Sequence, residues 1–444
     1  MKHSFTYLLL MLFAFSFSYS QPGFKLLGER EKETVRFKFI NNLIIIPVEV
    51  NGVELSFVVD TGVNKTILFN LTESDSLEVK NVEEIYIRGL GEGNPIKAFK
   101  SRGNRFRIKN NIYSNNQELY IILDENINFS HRLGFPVHGI IGYDLFKDFV
   151  LEINYIRKTL KFYSPQTYRY KACRKCQDFE LDFILNKPYI DVSVDLEKKD
   201  SITTKLLIDS GSSDALWLFE EPEKEITLPE KYFEDFLGRG LSGSIYGKRA
   251  RVKNLHMGNF VLKEAKVAFP DSSSVKYIRN IEDRNGSLGG EVLKRFHVVF
   301  DYGNNKISLR KNGKFKEPFK YNMSGIELQH NGIRFVKELA SNIHGIVKDD
   351  KDPYGGVKIL LNERYDISLH PAFEIAEIRE NSPAALAGLR KGDIVISING
   401  KPTHRHSLQE VSEMLNEAEG KKIRLLVQRE GLDLKFFFKL KKIL

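Results

Sequence analysis

Cysteine is scarce in this sequence: only Cys173 and Cys176 occur among 444 residues, together in the segment KACRKC. A structural zinc site needs more ligands than one Cys-x-x-Cys pair, and a thioredoxin-like motif needs a βαβ context that the neighbouring residues do not indicate. The His-Glu-x-x-His pattern of zinc peptidases is absent as well. If the protein is exported, we expect the two thiols to form a small local disulfide.

Long apolar runs are also scarce. The run near the N terminus, Leu8–Phe17, is shorter than the roughly 20 residues of a membrane-spanning helix, and nothing later in the chain has that character. Lys2 precedes the run and the small residues Ser18 and Ser20 follow it, as in an export signal. We therefore predict that residues 1–20 are a cleaved signal peptide, with an uncleaved anchor as the alternative. The mature protein is then expected in the periplasm, at the cell surface or in the medium.

The sequence lacks a long basic run, although its formal net charge is +9. Lys and Arg are interspersed with Asp and Glu, and no known nucleic-acid motif is present. With 42% hydrophobic and 28% charged residues, the composition is that of a globular protein with a slightly basic surface. A length of 444 residues favours two or three domains. We expect no nucleic-acid partner.

What the sequence does contain is an internal repeat. The segment VRFKFINNLIIIPVEVNGVELSFVVDTG, residues 35–62, parallels residues 179–211, and both end in an aspartate followed by Thr-Gly or Ser-Gly. A second pair, RGLGEG at 88–93 and RGLSGS at 239–244, starts 28 and 30 residues after the respective aspartates. Each repeat then closes with an apolar pair, a glycine, a short helix and a hairpin. Alternating and β-branched runs predict strands in both repeats.

These patterns predict a mainly β fold, with two homologous β lobes followed by a small α+β domain. In that last domain Ser407 and Glu410 form a capping box, which predicts a helix that ends at Gly420. The predicted divisions of the chain are a signal peptide at 1–20, lobe 1 at 21–166, lobe 2 at 167–315 and the α+β domain at 316–444.

The aspartates that end the two repeats, Asp60 and Asp209, are the candidate reactive groups. A single Asp-Thr/Ser-Gly tripeptide is most simply a turn in which the carboxylate accepts nearby backbone N–H groups. Its doubling at the same position of two repeats argues against that simple interpretation. Residues 35–311 resemble the aspartic peptidase fold in the two-lobe arrangement of the pepsins. The spacing from the aspartate to the glycine-rich segment is closer to the retroviral type.

In that family each lobe contributes one such turn, and the two turns meet at a pseudo-twofold axis. The resemblance implies that Asp60 and Asp209 share one proton and activate a water, without a covalent intermediate, a cofactor or a metal. Which aspartate holds the proton is not assigned. Val63 departs from the family pattern, which usually has Ser, Thr or Ala there. The residues that the resemblance assigns to support the pair are Thr61, Gly62, Ser210 and Gly211.

The glycine-rich segment of the first repeat is the candidate flap, a mobile hairpin that closes over the substrate. Its candidate residues are Gly89, Leu90, Gly91 and Gly93. An ordinary hairpin turn is the alternative, and the matching RGLSGS segment is either a second flap or a vestige.

The segment SPAALAGLRKGDIVISINGKP, residues 382–402, resembles the PDZ domains of bacterial exported proteases. Such domains bind peptides, often C-termini, as an added strand beside a helix. Gly325 and Ile326 in MSGIEL are the candidate carboxylate-binding residues, with YGGVKI at 354–359 as the alternative. The stretch between MSGIEL and FEIAEI exceeds what a minimal PDZ domain needs. A PDZ domain that only packs against the lobes is a further alternative.

Together these features predict an exported aspartic endopeptidase with a PDZ domain that recognises peptide or protein substrates. Because both aspartates lie in one chain, a monomer suffices. The alternative is an inactive peptidase fold that serves as a peptide-binding or scaffolding module.

Overall fold

The computed structural model describes residues 23–71, 77–124, 127–276, 278, 284–348, 353–354 and 357–444. The signal peptide predicted at 1–20 lies outside these ranges, so that it stays a prediction. Within them, no helix is both long and apolar enough to cross a membrane.

Strands dominate the chain, as the sequence predicts. The strands of the first half are β1 Lys25–Leu26, β2 Lys32–Arg36, β3 Lys38–Ile40, β4 Leu43–Val50, β5 Val53–Val59, β6 Ile67–Leu68, β7 Glu83–Ile87, β8 Ile96–Ile108, β9 Ile112–Ile121, β10 Gly139–Ile141, β11 Val150–Asn154 and β12 Thr159–Tyr163. The next are β13 Cys176–Glu180, β14 Asp182–Ile184, β15 Lys187–Asp195, β16 Ile202–Asp209, β17 Leu216–Leu218, β18 Phe233–Gly240, β19 Gly243–Met257, β20 Phe260–Pro270, β21 Arg284–Gly289, β22 Phe296–Asp301 and β23 Lys306–Lys311. The last are β24 Ile326–Lys348, β25 Val357–Ile378, β26 Ile394–Ile398, β27 Lys401–Pro402, β28 Lys422–Arg429 and β29 Leu432–Lys439.

The helices are short. They are α1 Ser130–Leu133, α2 Tyr143–Phe146, α3 Ser272–Val275, α4 Gly290–Leu293, α5 Pro383–Leu386 and α6 Leu408–Met414. Short 3₁₀ turns lie at Pro222–Lys224, Tyr302–Asn304 and Thr403–Arg405.

Lobe 1 is the sheet of β1 and β3–β10, which closes into a barrel because β8 pairs with both β4 and β9. Its strands carry apolar residues on both faces: in β4, Ile44 and Ile46 lie in the main core, whereas Ile45 lies in a second apolar cluster. The parallel pairing of β5 with β10 places Asp60 beside Ile141, whose carbonyl accepts the Asp60 N–H at 2.9 Å. The Asp turn therefore starts where two buried strands end.

Lobe 2 is the sheet of β14–β21, and its strands repeat the pairing of lobe 1. Strand β19 closes the second barrel by pairing with β15 as well as β20. The parallel pairing of β16 with β21 aligns Asp209 with Gly289. The internal repeat of the sequence is thus a repeat of strand order, with one Asp turn at the same place in each barrel.

A six-stranded bridging sheet joins the lobes, in the order β13-β23-β22-β11-β12-β2. Its central strands, β11 from the first half and β22 from the second, pair antiparallel, with Ile153 opposite Val298. The main apolar core runs through both lobes and this sheet. Cys173 and Cys176 form the expected local disulfide at the start of β13.

The C-terminal unit consists of β24–β29 with α5 and α6, and it has an apolar core of its own. The predicted capping box is present, because the Ser407 hydroxyl accepts the Glu410 N–H and the Glu410 carboxylate accepts the Ser407 N–H. The helix is shorter than predicted, since it ends at Met414 rather than near Gly420.

The long segment between MSGIEL and FEIAEI is a β hairpin. Strands β24 and β25 pair from Ile326 and Ile378 out to Lys348 and Val357. Part of the alternative carboxylate loop at 354–359 lies outside the described residues, and its Val357 lies at the far end of this hairpin, away from the turn that leads into β24.

Truncating the bridging sheet should destabilise the whole protein. Leu151 in β11 is fully buried, so Leu151→Ala should lower the free energy of unfolding by about 2–5 kcal/mol in urea denaturation. The control is Ile156→Ala in the turn between β11 and β12, where the side chain is 49% exposed and the loss should stay within about 0.5 kcal/mol. Equal losses in the two variants would contradict a core shared through this sheet.

Candidate active site

The two Asp turns hold each other through reciprocal hydrogen bonds. The Thr61 hydroxyl donates to the Ile208 carbonyl at 2.6 Å, and the Ser210 hydroxyl donates to the Val59 carbonyl at 2.9 Å. Each hydroxyl oxygen also accepts the N–H of the other residue, at 3.0 Å in both cases. Both side chains are buried, so these bonds satisfy backbone groups that water cannot reach. The supporting roles predicted for Thr61 and Ser210 agree with this geometry.

The carboxyl groups of Asp60 and Asp209 lie close together at the junction of the lobes, because a Cβ added to Gly62 would be 3.1 Å from Asp60 Oδ1 and 3.0 Å from Asp209 Oδ1. Each is also held by its own turn: Asp60 Oδ1 accepts the Gly62 N–H at 2.7 Å, and Asp209 Oδ1 accepts the Gly211 N–H at 3.1 Å. A Cβ added to Gly211 would lie 2.2 Å from Asp60 Cγ, and one added to Gly62 would lie 3.0 Å from Asp209 Cγ. The lobes can approach this closely because both positions are glycine.

The environment favours the protonated form of this pair. Burial raises the pKa of Asp60 well above its ordinary value, and the nearby negative charge of Asp209 raises it further. Burial also raises the pKa of Asp209, while the Arg284 guanidinium, the hydrogen bond with Asp60 and the Lys187 ammonium oppose that rise. Two strongly interacting carboxyl groups lose their protons in two successive steps that belong to the pair rather than to either residue. After the first step, one proton remains on the pair.

Lys187 and Arg284 were not among the residues that the sequence singled out. Lys187 opens β15 where the lobe 1 repeat has Leu43, and both positions pair with the preceding short strand in the same register. Its ammonium acts on both aspartates. A lysine that replaces an apolar residue at the start of a buried strand is the signal that could have identified it. Arg284 has no comparable signal, because only the strand pairing brings its side chain toward Asp209.

Val63 does not disturb the first turn. Its carbonyl accepts the N–H of Tyr143 at 3.1 Å, just as the Ser212 carbonyl in lobe 2 accepts the N–H of Gly290 at 2.8 Å. These bonds use the backbone, so they do not depend on the residue type at position 63.

The two glycine-rich segments meet at their tips. The Ser242 N–H donates to the Leu90 carbonyl at 2.9 Å, and the Ser242 carbonyl accepts the Gly93 N–H at 2.7 Å. The Gly89 N–H donates to the Ser242 hydroxyl at 3.1 Å, and the Gly91 N–H to the Ser274 carbonyl at 3.3 Å. The first segment is therefore the tip of the β7–β8 hairpin, and RGLSGS is the matching tip of β18–β19, paired with it.

Each tip also packs on the opposite lobe. Leu90 of the first hairpin lies against a small apolar cluster of lobe 2 that includes Trp217 and Ile245. Leu241 of the second hairpin lies against the second apolar cluster of lobe 1. The hairpins are thus crossed, and opening either one exposes apolar surface on both lobes.

Comparison with known families gives two matches. Residues 46–145 match an aspartyl protease family, and residues 374–429 match the PDZ domain family. The chain carries an aspartyl protease domain and a PDZ domain. A comparison with curated proteins finds no match. The protease match covers most of lobe 1 with its Asp turn, and lobe 2 repeats the strand order of that lobe.

The predicted residues Gly325 and Ile326 lie in the C-terminal unit, where Gly325 ends the turn before β24 and Ile326 is the first residue of that strand. Their N–H groups are already bonded within the turn: Gly325 donates to Asn322 Oδ1 at 2.9 Å, and Ile326 donates to the Ser324 hydroxyl at 3.2 Å. Gly325 has a φ of +83°, which favours glycine. Peptide binding at these two residues stays a prediction.

Removing one of the two hydroxyl groups that bond across the lobes should lower the free energy of unfolding of the protease domain. Thr61→Val leaves the Ile208 carbonyl and the Ser210 N–H without their partner, and each buried unpaired group costs about 1–3 kcal/mol. Urea denaturation should show this loss together with reduced cleavage of peptides. Thr159→Val, half-exposed on β12, is the control and should stay within about 0.5 kcal/mol of the unchanged protein. No loss in Thr61→Val would contradict the role of this hydrogen bond.

Proposed function

We propose that this protein is an aspartic endopeptidase in which Asp60 and Asp209 together activate a water. The observation that carries the proposal is the close approach of the two Asp turns, which the reciprocal Thr61 and Ser210 bonds hold together at the junction of the lobes. The match of residues 46–145 to aspartyl proteases supports it. Both carboxyl groups come from one chain, so the proposed enzyme is a monomer.

The proposed reaction needs one proton on the pair. The ionised carboxylate takes a proton from a water while the protonated carboxyl donates a hydrogen bond to the scissile carbonyl oxygen. The water oxygen then attacks the carbonyl carbon and gives a tetrahedral intermediate without a covalent bond to the protein. Return of a proton to the amide nitrogen breaks the C–N bond and releases an amine and a carboxylic acid. No cofactor takes part in these steps.

The crossed hairpins would act as flaps in this reaction. In this proposal a peptide would reach the carboxyl pair after the tips separate, and their return would exclude bulk water from the site. The tip residues Gly89, Leu90, Gly91 and Gly93 keep their proposed role, and RGLSGS is proposed as a second flap. The PDZ domain would recognise peptide or protein substrates. We further propose export through residues 1–20.

Replacing either aspartate should abolish peptide cleavage. Asp60→Asn and Asp209→Asn remove the ionised carboxylate or the shared proton, so cleavage of an unstructured peptide library should fall by at least about 100-fold. Mass spectrometry of the products measures the effect. Asp178→Asn, at a half-exposed ion pair with Lys306, is the matched control and should cleave like the unchanged protein. If no peptide is cleaved from acid to neutral pH, or if the Asn variants cleave normally, the peptidase proposal fails and the peptide-binding alternative is favoured.

Removing the Lys187 ammonium should move the pH profile of cleavage upward. That cation lowers the pKa of both aspartates, so Lys187→Met raises both values, and the singly protonated pair then exists over a higher pH range. Both limbs of the profile should shift to higher pH when rates are measured on one peptide. Lys199→Met, whose exposed ammonium pairs with Glu225, should leave the limbs in place. A downward shift in Lys187→Met would contradict this electrostatic role.

A further inference from the structure

Strand β24 lies at one edge of the PDZ sheet, and β29 lies at the other. Among the described residues, β24 pairs with β25 on one side only, and α6 packs beside it through a core that includes Leu328, Leu408 and Val411. A peptide binds to a PDZ domain as an extra strand on such an edge, next to the helix. We call the space between β24 and α6 the PDZ groove. The protein groups that already lie in the PDZ groove determine which peptides the domain can bind.

At one end of the PDZ groove, the side-chain amide of Asn322 has the bonding pattern of a peptide terminus. Its Oδ1 accepts the N–H groups of Ser324 at 3.0 Å and Gly325 at 2.9 Å, and its Nδ2 donates to the Ile326 carbonyl at 2.7 Å. A terminal carboxylate would need those N–H groups, and the last peptide N–H would need that carbonyl. Each N–H has a single hydrogen, so a free C-terminus can bind here only after Asn322 leaves.

A segment of lobe 1, helix α1, packs against β24. Arg132 in α1 pairs at 3.3 Å with Glu377 on β25, which lies opposite Glu327 near the start of β24. Gly134, which ends α1 with a φ of +63°, lies so close to the start of α6 that an added Cβ would be 2.7 Å from Leu408 Cβ. The contacts of α1 thus reach from β25 on one side of β24 to α6 on the other. A peptide strand added to this part of β24 would therefore collide with α1.

Arg132 also contacts the flap hairpin of lobe 2. Its guanidinium lies 4.4 Å from the ring centroid of Phe236, a cation–π contact on β18. The tip of that hairpin holds Ser242, which is bonded to the flap of lobe 1. One side chain thus connects the PDZ groove, lobe 1 and a flap hairpin.

We propose that the PDZ groove is a self-occupied site which accepts an extended internal segment of a protein rather than a free C-terminus, and that such a segment enters by displacing α1 of lobe 1. Displacement breaks the contacts of Arg132 with Glu377 and Phe236, so binding in the groove removes one of the contacts that hold the flap hairpin of lobe 2. The binding step stands without the peptidase proposal. Its effect on cleavage rests on the proposed function.

The binding step is tested in full-length Asp60→Asn protein, which should not cleave the probe. The probes are two random dodecapeptide libraries, one with free C-terminal carboxylates and one with C-terminal amides, immobilised through their N-termini. The Asp60→Asn protein should retain little of either. Adding Arg132→Ala should raise retention of both libraries by about ten-fold or more, because the groove no longer has to be cleared of α1.

Two further variants make this result specific. Lys391→Ala removes another partner of Glu377, at 3.1 Å, but that lysine is exposed on the PDZ domain itself, so retention should not change. Adding Asn322→Ala to Arg132→Ala frees the turn N–H groups and should favour the carboxylate library over the amide library by about ten-fold. Thermal unfolding of each variant confirms that the domains stay folded.

Hydrogen exchange distinguishes displacement of α1 by a bound peptide from a contact that only stabilises the fold. A peptide recovered from the amide library should speed exchange at residues 130–134 in the otherwise intact Asp60→Asn protein. The proposal is overturned if that protein prefers the carboxylate library, if it retains either library as well as Arg132→Ala does, or if Arg132→Ala and Lys391→Ala behave alike. Loss of the peptidase function would leave all these binding results unchanged.

Discussion

The exchange of hydrogen bonds between Thr61 and Ser210 is the interaction on which the rest of the site depends. Each turn contains buried backbone groups that only the other lobe can satisfy, so neither turn is complete alone. This requirement sets the distance between the lobes and thereby brings Asp60 and Asp209 close together. The raised pKa values of the two aspartates follow from burial and, for Asp60, from the nearby negative charge of Asp209. The reciprocity also explains why the duplication matters: two copies of one turn provide complementary donors and acceptors.

The two lobes share their backbone plan but not their charges. Lys187 stands where lobe 1 has Leu43, and Arg284 approaches Asp209 from β21. These cations act against the effect of burial and keep ionisation of the pair accessible. A pair of carboxyl groups between identical lobes would lack this bias. Side-chain substitutions have therefore differentiated the two halves without changing the strand order that positions them.

The PDZ domain is integrated with the protease domain and not merely attached to its end. Arg132 joins lobe 1 to Glu377 of the PDZ domain and to Phe236 of the flap hairpin in lobe 2. Arg379 of the PDZ domain lies 4.9 Å from the Phe233 ring on the same hairpin. Side chains of both units thus link the PDZ domain directly to the hairpin that carries RGLSGS.

Local features could be predicted because they depend on neighbours in the chain. The β class, the repeated Asp turns, the capping box of Ser407 and Glu410 and the disulfide all follow from residue type and short spacing. The pairing of the two hairpin tips and the hairpin between β24 and β25 could not be predicted, because each depends on contacts between distant residues. The predicted helix was too long, since its apolar stripe continues past the last helical hydrogen bond.

Residue order alone is enough to recognise two aspartate turns in equivalent positions of two β repeats, with a PDZ domain after them. Periodicity, caps and repeated motifs encode such features within a few residues. The three-dimensional fold is needed to show that the two aspartates lie close together, that Lys187 and Arg284 act on them, and that Asn322 and α1 contact the start of β24 and of α6. Those facts depend on side chains that strand pairing brings together across large sequence separations, and one sequence read along its length does not contain the distances between them.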